Sequence, residues 1–228
     1  MEPSSPAAGP VIEVATKGIL FDMDGVLISS IGSVVRCWRQ WAEHYEIPNA
    51  EVYEVPHGMR AIEVVKALRP DIDPEVGLRY IEDLEMDDMA DLVVLPGAKA
   101  LLESLPVERW TIVTSATKRL MLARLKVAGL PIPERIISAD MVERGKPDPE
   151  PYRRGAELLG LRPEDCLVVE DAPSGVGAGL AAGSRVLGVV GTHSATELAR
   201  AQWIVESLED VAVTVGAGGL EVRFAPMI

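Results

Sequence analysis

The apolar positions of the chain change spacing after the first predicted strand. Residues 11–21 end in the apolar run Gly-Ile-Leu-Phe, which predicts a buried strand. The following segment, residues 31–95, shows helical spacing and no strand pattern. Three helices are predicted within it, at residues 31–45, 59–68 and 74–89. A strand is therefore followed by an all-helical block.

Beyond residue 96 the pattern alternates between short apolar strands and amphipathic helices. Such alternation is typical of a parallel sheet that is covered by helices. The predicted strands are 110–114, 135–138, 166–170, 185–190 and 203–205, and the helices are 98–105, 117–128, 151–159, 174–182 and 195–200. Residues 211–224 contain two β-like runs around a glycine-rich turn, which predicts a terminal hairpin. The expected fold class is α/β, a Rossmann-like doubly wound parallel sheet with a small all-helical cap inserted after the first strand.

These patterns divide the chain into a core and an inserted cap. Residues 1–10, rich in Pro, Ser and Ala, are expected to form a flexible leader. Residues 11–30 and 96–228 are expected to form the Rossmann-like catalytic core, and residues 31–95 the helical cap. An open parallel sheet binds ligands at the carboxyl ends of its strands, so the cap is a candidate lid over that edge.

Composition narrows the classes of function. The 228 residues carry a formal net charge of −13, and because nucleic-acid-binding surfaces are basic, no nucleic-acid partner is expected. No apolar stretch approaches the ~18 residues of a membrane span, and residues 1–10 lack the pattern of a signal peptide. Cys37 and Cys166 lie in apolar periodic segments, as reduced core thiols do. We therefore expect a cytoplasmic protein without a membrane partner, acting as a monomer or weak dimer.

Two aspartates directly follow the first strand. Asp22 and Asp24 are separated by one residue, so their side chains share a face in extended backbone. Gly25 then allows the chain to turn sharply. Two buried carboxylates side by side either take up a proton or bind a metal cation. An isolated Asp-x-Asp-Gly segment is more often an Asx turn, so this signal needs support from elsewhere in the chain.

Three later strands are also followed by polar residues that could carry chemistry. Ser115 and Ala116 stand between a strand and a helix, where backbone N–H groups and the positive end of the helix favour an anion. Lys146 follows the next strand, and Glu170 with Asp171 ends the one after it. Each signal alone is also explained by a helix cap or a solvated lysine. Together they bring four acids, one lysine and an N–H cradle to one edge of the sheet.

This combination fits phosphoryl transfer through a carboxylate nucleophile with a hard divalent cation. In this hypothesis Asp22 attacks phosphorus and forms an aspartyl-phosphate. Asp24 protonates the leaving oxygen and then takes a proton from the attacking water. Asp171 holds the metal, helped by Glu170 directly or through water. The metal and Lys146 offset the repulsion between the nucleophile and the phosphate.

The same segments resemble the four successive motifs of the haloacid dehalogenase-like hydrolases. They are DMDGV, TSAT, GKPDPEPY and VEDAPSG, and the helical insertion resembles the small cap of that superfamily. The resemblance covers about residues 18–208. It implies Mg²⁺ bound by the Asp22 side chain, the Asp24 main-chain carbonyl and the Asp171 side chain. It also implies three phosphoryl-binding residues, which are Ser115, Ala116 and Lys146.

Part of the chain points to a substrate class within that superfamily. The cap loop HGMR and the segments LPGAKALLESL and GKPDPEPYRRGAELLGL are similar to sugar-phosphate and glycerol-phosphate phosphatases of the 2-deoxyglucose-6-phosphatase type. By that similarity His57 and Arg60 would bind and recognise the substrate, a small phosphorylated sugar or polyol. The alternative is that His57 caps a helix and that Arg60 pairs with the acidic third helix.

Two other enzymatic functions compete with the phosphatase prediction. Dehalogenases of the superfamily use no metal and usually lack the second acid of the first motif, so Asp24 argues against them. Hexose-phosphate mutases such as β-phosphoglucomutase resemble the chain strongly. They carry a histidine four residues before a tryptophan, and counting back from Trp38 gives Val34. The prediction is therefore hydrolysis by a magnesium-dependent phosphatase.

A non-enzymatic alternative is a nucleotide-binding module. It would use Gly175, Gly177 and Gly179, but Glu170 and Asp171 precede them and would repel a pyrophosphate. The glycines are better explained by close packing of a helix on the sheet. The acidic run of the third helix is likewise interpreted as a solvated face, not as a docking site for a protein partner.

Overall fold

Five parallel strands form the central sheet. The structure is a computed structural model and describes residues 10–52 and 58–227. In order across the sheet the strands are β5 (Trp110–Ile112), β2 (Gly18–Phe21), β6 (Cys166–Glu170), β7 (Arg185–Val189) and β8 (Trp203–Val205). Leu20 lies opposite Thr111 on one side and Val168 on the other. The carboxyl end of β2 is thus flanked by those of β5 and β6, the strands that precede the other predicted motifs.

Side chains of β2 alternate between two apolar clusters, one on each face of the sheet. Ile19 and Phe21 belong to one cluster and Leu20 to the other, as the two-residue repeat of a strand requires. Four helices complete the clusters, α4 (Ala98–Ser104) and α5 (Lys118–Ala128) on the first face, and α6 (Glu150–Leu158) and α7 (Pro173–Ala182) on the second. Helices on both faces of a parallel sheet confirm the predicted α/β class.

Helix α7 packs unusually close to the sheet. A Cβ at Gly179 would lie 2.8 Å from a methyl group of Val186, and a Cβ at Gly175 would lie 1.7 Å from the Glu170 carboxylate. Both positions need glycine for this approach. Packing therefore accounts for two of the three glycines that a nucleotide-binding module would have used.

A second sheet lies at the ends of the chain. It is antiparallel, in the order β1 (Ile12–Thr16), β10 (Gly219–Phe224) and β9 (Ala212–Gly216). The predicted terminal hairpin is confirmed, because β9 pairs with β10. The single strand predicted at residues 11–21 is wrong, since it is divided at Lys17 between two sheets. An extended apolar run does not reveal that its two halves pair with different neighbours.

The helical block contains α1 (Ile31–His44), α2 (Ala61–Leu68) and α3 (Pro74–Asp87). They pack around a separate apolar cluster that includes Trp41, Val65 and Ile81. The block was expected to contain no strand, but β4 (Val93–Val94) lies within it and pairs with β3 (Ile28–Ser29). A two-residue ribbon is too short to show a period. The division into cap and core at residues 31 and 95 stays a prediction.

Two predicted elements of the core are absent from the described residues. The strand at 135–138 is reduced to one bridge between Ile137 and Val113, and a 3-10 turn begins at Ala139. The helix at 195–200 is a series of turns. None of the helices in the described ranges has the length and apolar composition needed to cross a bilayer.

The two cysteines are buried and free, as expected. Cys37 lies in α1 of the cap and Cys166 begins β6 of the core. Burial is the main reason that the pKa of each thiol is raised to about 12, so the thiols stay protonated and unreactive at neutral pH.

Candidate active site

The Asp22 carboxylate lies at the carboxyl end of β2 and is 6% exposed. Its backbone N–H donates to the Val169 carbonyl at 3.0 Å, which continues the sheet by one residue and fixes the direction of the side chain. Lys146 Nζ donates to Asp22 Oδ1 at 2.7 Å and to Glu170 Oε1 at 2.6 Å. The structure thus brings together three site residues that are far apart in the sequence.

Glu170 holds Lys146 in place. Its Oε1 also accepts from the Tyr152 hydroxyl at 2.7 Å, and its Oε2 accepts from the backbone N–H groups of Asp171 and Ala172 at 3.0 and 3.1 Å. Burial would lower the pKa of Lys146, but the Asp22 and Glu170 carboxylates outweigh it and raise that pKa. The ammonium therefore stays charged beside Asp22.

Asp171 lies beside a residue that the sequence analysis missed. The Thr192 hydroxyl donates to Asp171 Oδ2, and His193 Nδ1 lies 3.1 Å from the Asp171 carbonyl oxygen. Thr192 follows β7, so the rule that functional groups come just after strands would have found it if applied to that strand as well.

The acidic cluster of Asp22, Glu170 and Asp171 has the chemistry of a divalent cation site. All three side chains are buried, and one carboxylate oxygen from each lies within 4.8 Å of the others. Burial raises the pKa of Asp22 well above its usual value, because Lys146 opposes the effect only partly and the other two carboxylates add to it. Burial and Glu170 also raise the pKa of Asp171 to about 7. A cation with a preference for oxygen ligands would relieve this excess of negative charge.

Gly25 provides the space beside this cluster. Its φ angle is +85°, and a Cβ at this position would lie 1.9 Å from Asp171 Oδ2. A side chain here would occupy the space next to the carboxylates. The residues present therefore fit a bound divalent cation.

Asp24 lies outside the acidic cluster. Its side chain is 36% exposed, and its Oδ1 accepts from Arg124 Nη1 at 2.9 Å. Arg124 Nη2 in turn lies 3.3 Å from Glu85 Oε2 of the cap helix α3. Asp24 was predicted to serve as acid and base through its side chain and as a metal ligand through its main-chain carbonyl. Arg124 and Glu85 were not predicted, because neither follows a strand.

Helix α3 docks on the core through its acidic residues. Glu82 and Glu85 are buried, at 5% and 7% exposure. Glu82 accepts from the Thr117 hydroxyl and lies 3.3 Å from Arg119 Nη1, while Asp83 lies 2.6 Å from Arg119 Nη2. The expectation of a wholly solvated acidic face is wrong, because charge composition does not reveal that α5 presents matching arginines.

Ser115 and Ala116 lie between β5 and α5, as predicted. The Ser115 hydroxyl donates to the Gly58 carbonyl of the cap at 2.8 Å, and the Ala116 N–H donates to the Thr114 hydroxyl oxygen at 3.1 Å. Both groups line the same cavity as Asp22. Both donors therefore have acceptors within the protein.

Arg60 is held by the core and not by the acidic third helix. Its guanidinium donates to the carbonyls of Val142 and Glu143, each at 3.0 Å, and its Nε donates to Glu63 at 3.0 Å. Arg60 is not one of the described residues that line the cavity containing Asp22. The alternative in which Arg60 pairs with the third helix is therefore wrong. His57 lies outside the described residues.

The cavity lies between cap and core and has a volume of about 130 Å³. Its floor belongs to the core and includes Asp22, Asp24, Ser115, Ala116 and Asp171. Its roof belongs to the cap helices and is mostly apolar, with Val34 and Trp38 among its residues. This arrangement suits a small ligand whose polar end meets the carboxylates.

Known proteins resemble the chain over most of its length. Hexitol phosphatase A of Escherichia coli is 40% identical over 208 residues, which are 89% of this chain and 96% of that protein. Glycerol-1-phosphate phosphohydrolase 2 of Saccharomyces cerevisiae is 32% identical over 196 residues, which are 79% of this chain and 77% of that protein.

Solved structures share the fold. A putative β-phosphoglucomutase from Bacteroides vulgatus superimposes with a TM-score of 0.71 at 25% identity, covering 86% of each chain. The family description "haloacid dehalogenase-like hydrolase" matches residues 16–183, which contain all four predicted motifs. Family members are hydrolases that generally use a divalent metal, and the acidic cluster fits one. This chain therefore belongs to the haloacid dehalogenase-like hydrolases.

Proposed function

We propose that this chain is a Mg²⁺-dependent phosphatase that hydrolyses phosphate monoesters of small sugars or polyols. The observation that carries the proposal is the buried Asp22 carboxylate, which contacts Lys146 and shares a cluster with Glu170 and Asp171 at the floor of the cavity between cap and core. The names of the two relatives, a hexitol phosphatase and a glycerol-1-phosphate phosphohydrolase, support the substrate class.

In the first step, a carboxylate oxygen of Asp22 attacks phosphorus and the bond to the leaving oxygen breaks. Two unit charges 4 Å apart repel by about 1 kcal/mol in water and about 4 kcal/mol at an effective dielectric constant near 20. Lys146 is in place to offset this repulsion, 2.7 Å from the nucleophile. Mg²⁺ held by Asp22, Asp171 and the Asp24 carbonyl, with help from Glu170, would neutralise the remaining charge of the phosphoryl oxygens.

Asp24 acts as acid and then as base in this proposal. It gives a proton to the leaving oxygen and then removes one from the water that hydrolyses the aspartyl-phosphate. Its side chain lines the same cavity as that of Asp22. Ser115 and Ala116 would bind the phosphoryl oxygens once they have released Gly58 and Thr114.

The mutase alternative is weakened by Val34. The mutases that this chain resembles carry a histidine at the corresponding position of the first cap helix, whereas Val34 contributes an aliphatic side chain to the cavity roof. An isopropyl group cannot take part in proton transfer. We therefore propose net hydrolysis and not transfer of the phosphoryl group between sugar hydroxyls.

The free thiols of Cys37 and Cys166 fit a reducing compartment such as the cytoplasm.

The test is release of inorganic phosphate from a panel of hexitol, glycerol and hexose phosphates with Mg²⁺ and no bisphosphate activator. We expect phosphate release that is lost in Asp22→Asn and after treatment with EDTA. The matched control is Asp87→Asn, an exposed carboxylate of the cap, which should keep full activity. Full activity in Asp22→Asn would refute the mechanism, and activator-dependent interconversion of hexose phosphates without phosphate release would favour the mutase.

A further inference from the structure

The described residues of α1, α2 and α3 that line the cavity include one charged side chain, that of Glu85. The others are apolar, namely Ile31, Val34, Trp38, Ala61 and Val64. A charged group in a mostly apolar wall fixes the orientation of a ligand and selects for its polar groups.

Two contacts fix the position of the Glu85 carboxylate. Arg124 Nη2 lies 3.3 Å from Glu85 Oε2, and Arg124 is itself anchored by Asp24 at 2.9 Å. The Trp38 side chain also forms a hydrogen bond with the carboxylate. The carboxylate is therefore held at the cavity wall and is not free to turn toward solvent.

These contacts leave acceptor capacity on Glu85. A carboxylate offers about four lone-pair sites to donors. Burial outweighs the effect of Arg124 and raises the pKa of Glu85 to about 7, with Asp24 and Glu82 adding to the rise. The charged carboxylate thus has fewer donors than its burial requires, and hydroxyl groups of a ligand would stabilise it.

We propose that Glu85 is a specificity-determining residue that accepts hydrogen bonds from the hydroxyl groups of a polyol phosphate whose phosphoryl group lies against Asp22. This inference rests on the proposed phosphatase function and adds the group that recognises the carbon chain. The apolar side chains of Val34, Val64 and Trp38 suit the C–H faces of such a chain. An ester without hydroxyl groups would leave the Glu85 carboxylate without these donors.

The test compares sorbitol 6-phosphate, which carries hydroxyl groups along its chain, with n-hexyl phosphate, which has none and whose leaving group is also a primary alkoxide that needs a proton. The measured quantity is the ratio of kcat/KM for the polyol ester to kcat/KM for the alkyl ester. We expect this ratio to fall by about 10- to 100-fold in Glu85→Ala, because hydrogen bonds to a charged group are lost. In Glu85→Gln, which keeps one acceptor oxygen and the shape of the side chain, the fall should be smaller.

Asp87→Asn is the matched control, since it removes an exposed carboxylate from the same helix and should leave the ratio unchanged. If Glu85 only positioned Asp24 through Arg124, Glu85→Ala would lower kcat/KM for both esters by the same factor. The ratio would then be unchanged, and an unchanged ratio would overturn the proposal. Absence of Asp22-dependent phosphate release from both esters in the unmodified enzyme would instead refute the phosphatase function itself, and with it this inference.

Discussion

Arg124 Nη1 lies 2.9 Å from Asp24 Oδ1, although 100 residues separate the two in the chain. Arg124 is 5% exposed and also contacts Glu85, so one guanidinium connects the proposed acid and base to the cap. The contact links the position of the cap helix to the catalytic floor.

Replacing Arg124 with Met should destabilise the fold by about 3–5 kcal/mol, because it leaves Asp24 and the buried Glu85 without their cation. The free energy of unfolding in urea measures this loss. The matched control is Arg119→Met on the same helix. Arg119 also pairs with acids of α3, but it is 38% exposed and the buried Glu82 keeps its hydrogen bond from the Thr117 hydroxyl, so its replacement should cost less than that of Arg124. Equal losses in the two variants would contradict the distinction between buried and exposed pairs.

Glu85 should make stability depend on pH. Its pKa is raised to about 7 in the folded chain from 4.5, so the folded state holds the proton more tightly than the unfolded state. The stabilisation is complete below pH 4.5 and is lost as the pH rises through about 7. The stability of Glu85→Gln relative to the unmodified protein should therefore increase by up to about 3 kcal/mol between pH 5 and pH 8.

Urea unfolding of both proteins at several pH values measures this difference. Asp87→Asn, which removes an exposed carboxylate of the same helix, should show little change of its relative stability over the same range. If the stability of Glu85→Gln relative to the unmodified protein is independent of pH, or if it falls between pH 5 and pH 8, the raised pKa is contradicted.

Arg60 should act by joining the cap to the loop that carries Lys146. Arg60 donates to the carbonyls of Val142 and Glu143, and a Cβ at Gly145 would lie 2.7 Å from its Nε. Arg60→Ala should therefore lower kcat/KM by about tenfold for every substrate and speed amide hydrogen exchange in residues 139–146.

The exposed cap residue Arg79 provides the control, since Arg79→Ala should change neither quantity. If Arg60 instead reads the substrate, Arg60→Ala would change the order of preference among phosphate esters while leaving hydrogen exchange in residues 139–146 as it was.

Mg²⁺ should stabilise the protein in the absence of substrate. A ligand that binds only the folded state at 100 times its dissociation constant adds about 2.7 kcal/mol. Thermal unfolding with and without Mg²⁺ should show a rise in Tm that is absent in Asp171→Asn, because that variant loses a buried oxygen ligand. Asp87→Asn should keep the full rise. An equal rise in Tm for Asp171→Asn would show that Mg²⁺ binds at a different site.

Local apolar patterns predicted most of the strands and helices of the core and the residues at the strand ends, but not the division of the first strand or the loss of the strand at 135–138 and the helix at 195–200. The strand Cys166–Glu170 was predicted with its observed bounds. Its four apolar residues form a short run that is bounded on both sides by polar residues, which is typical of a buried strand. Asp22, Lys146, Glu170 and Asp171 were predicted to meet because the carboxyl ends of parallel strands share one edge of a sheet. The structure places these four together.

Which side chains face each other across elements depends on how the elements pack, and local patterns do not specify that packing. The pairing of Arg124 with Asp24 and Glu85 depends on how α3 lies on α5, and the spacing of apolar residues in one helix does not identify the helix it packs against. Arg60 meets core carbonyls for the same reason. Local patterns specify the elements and the residues at their ends, whereas contacts between distant side chains arise only when the cap packs on the core.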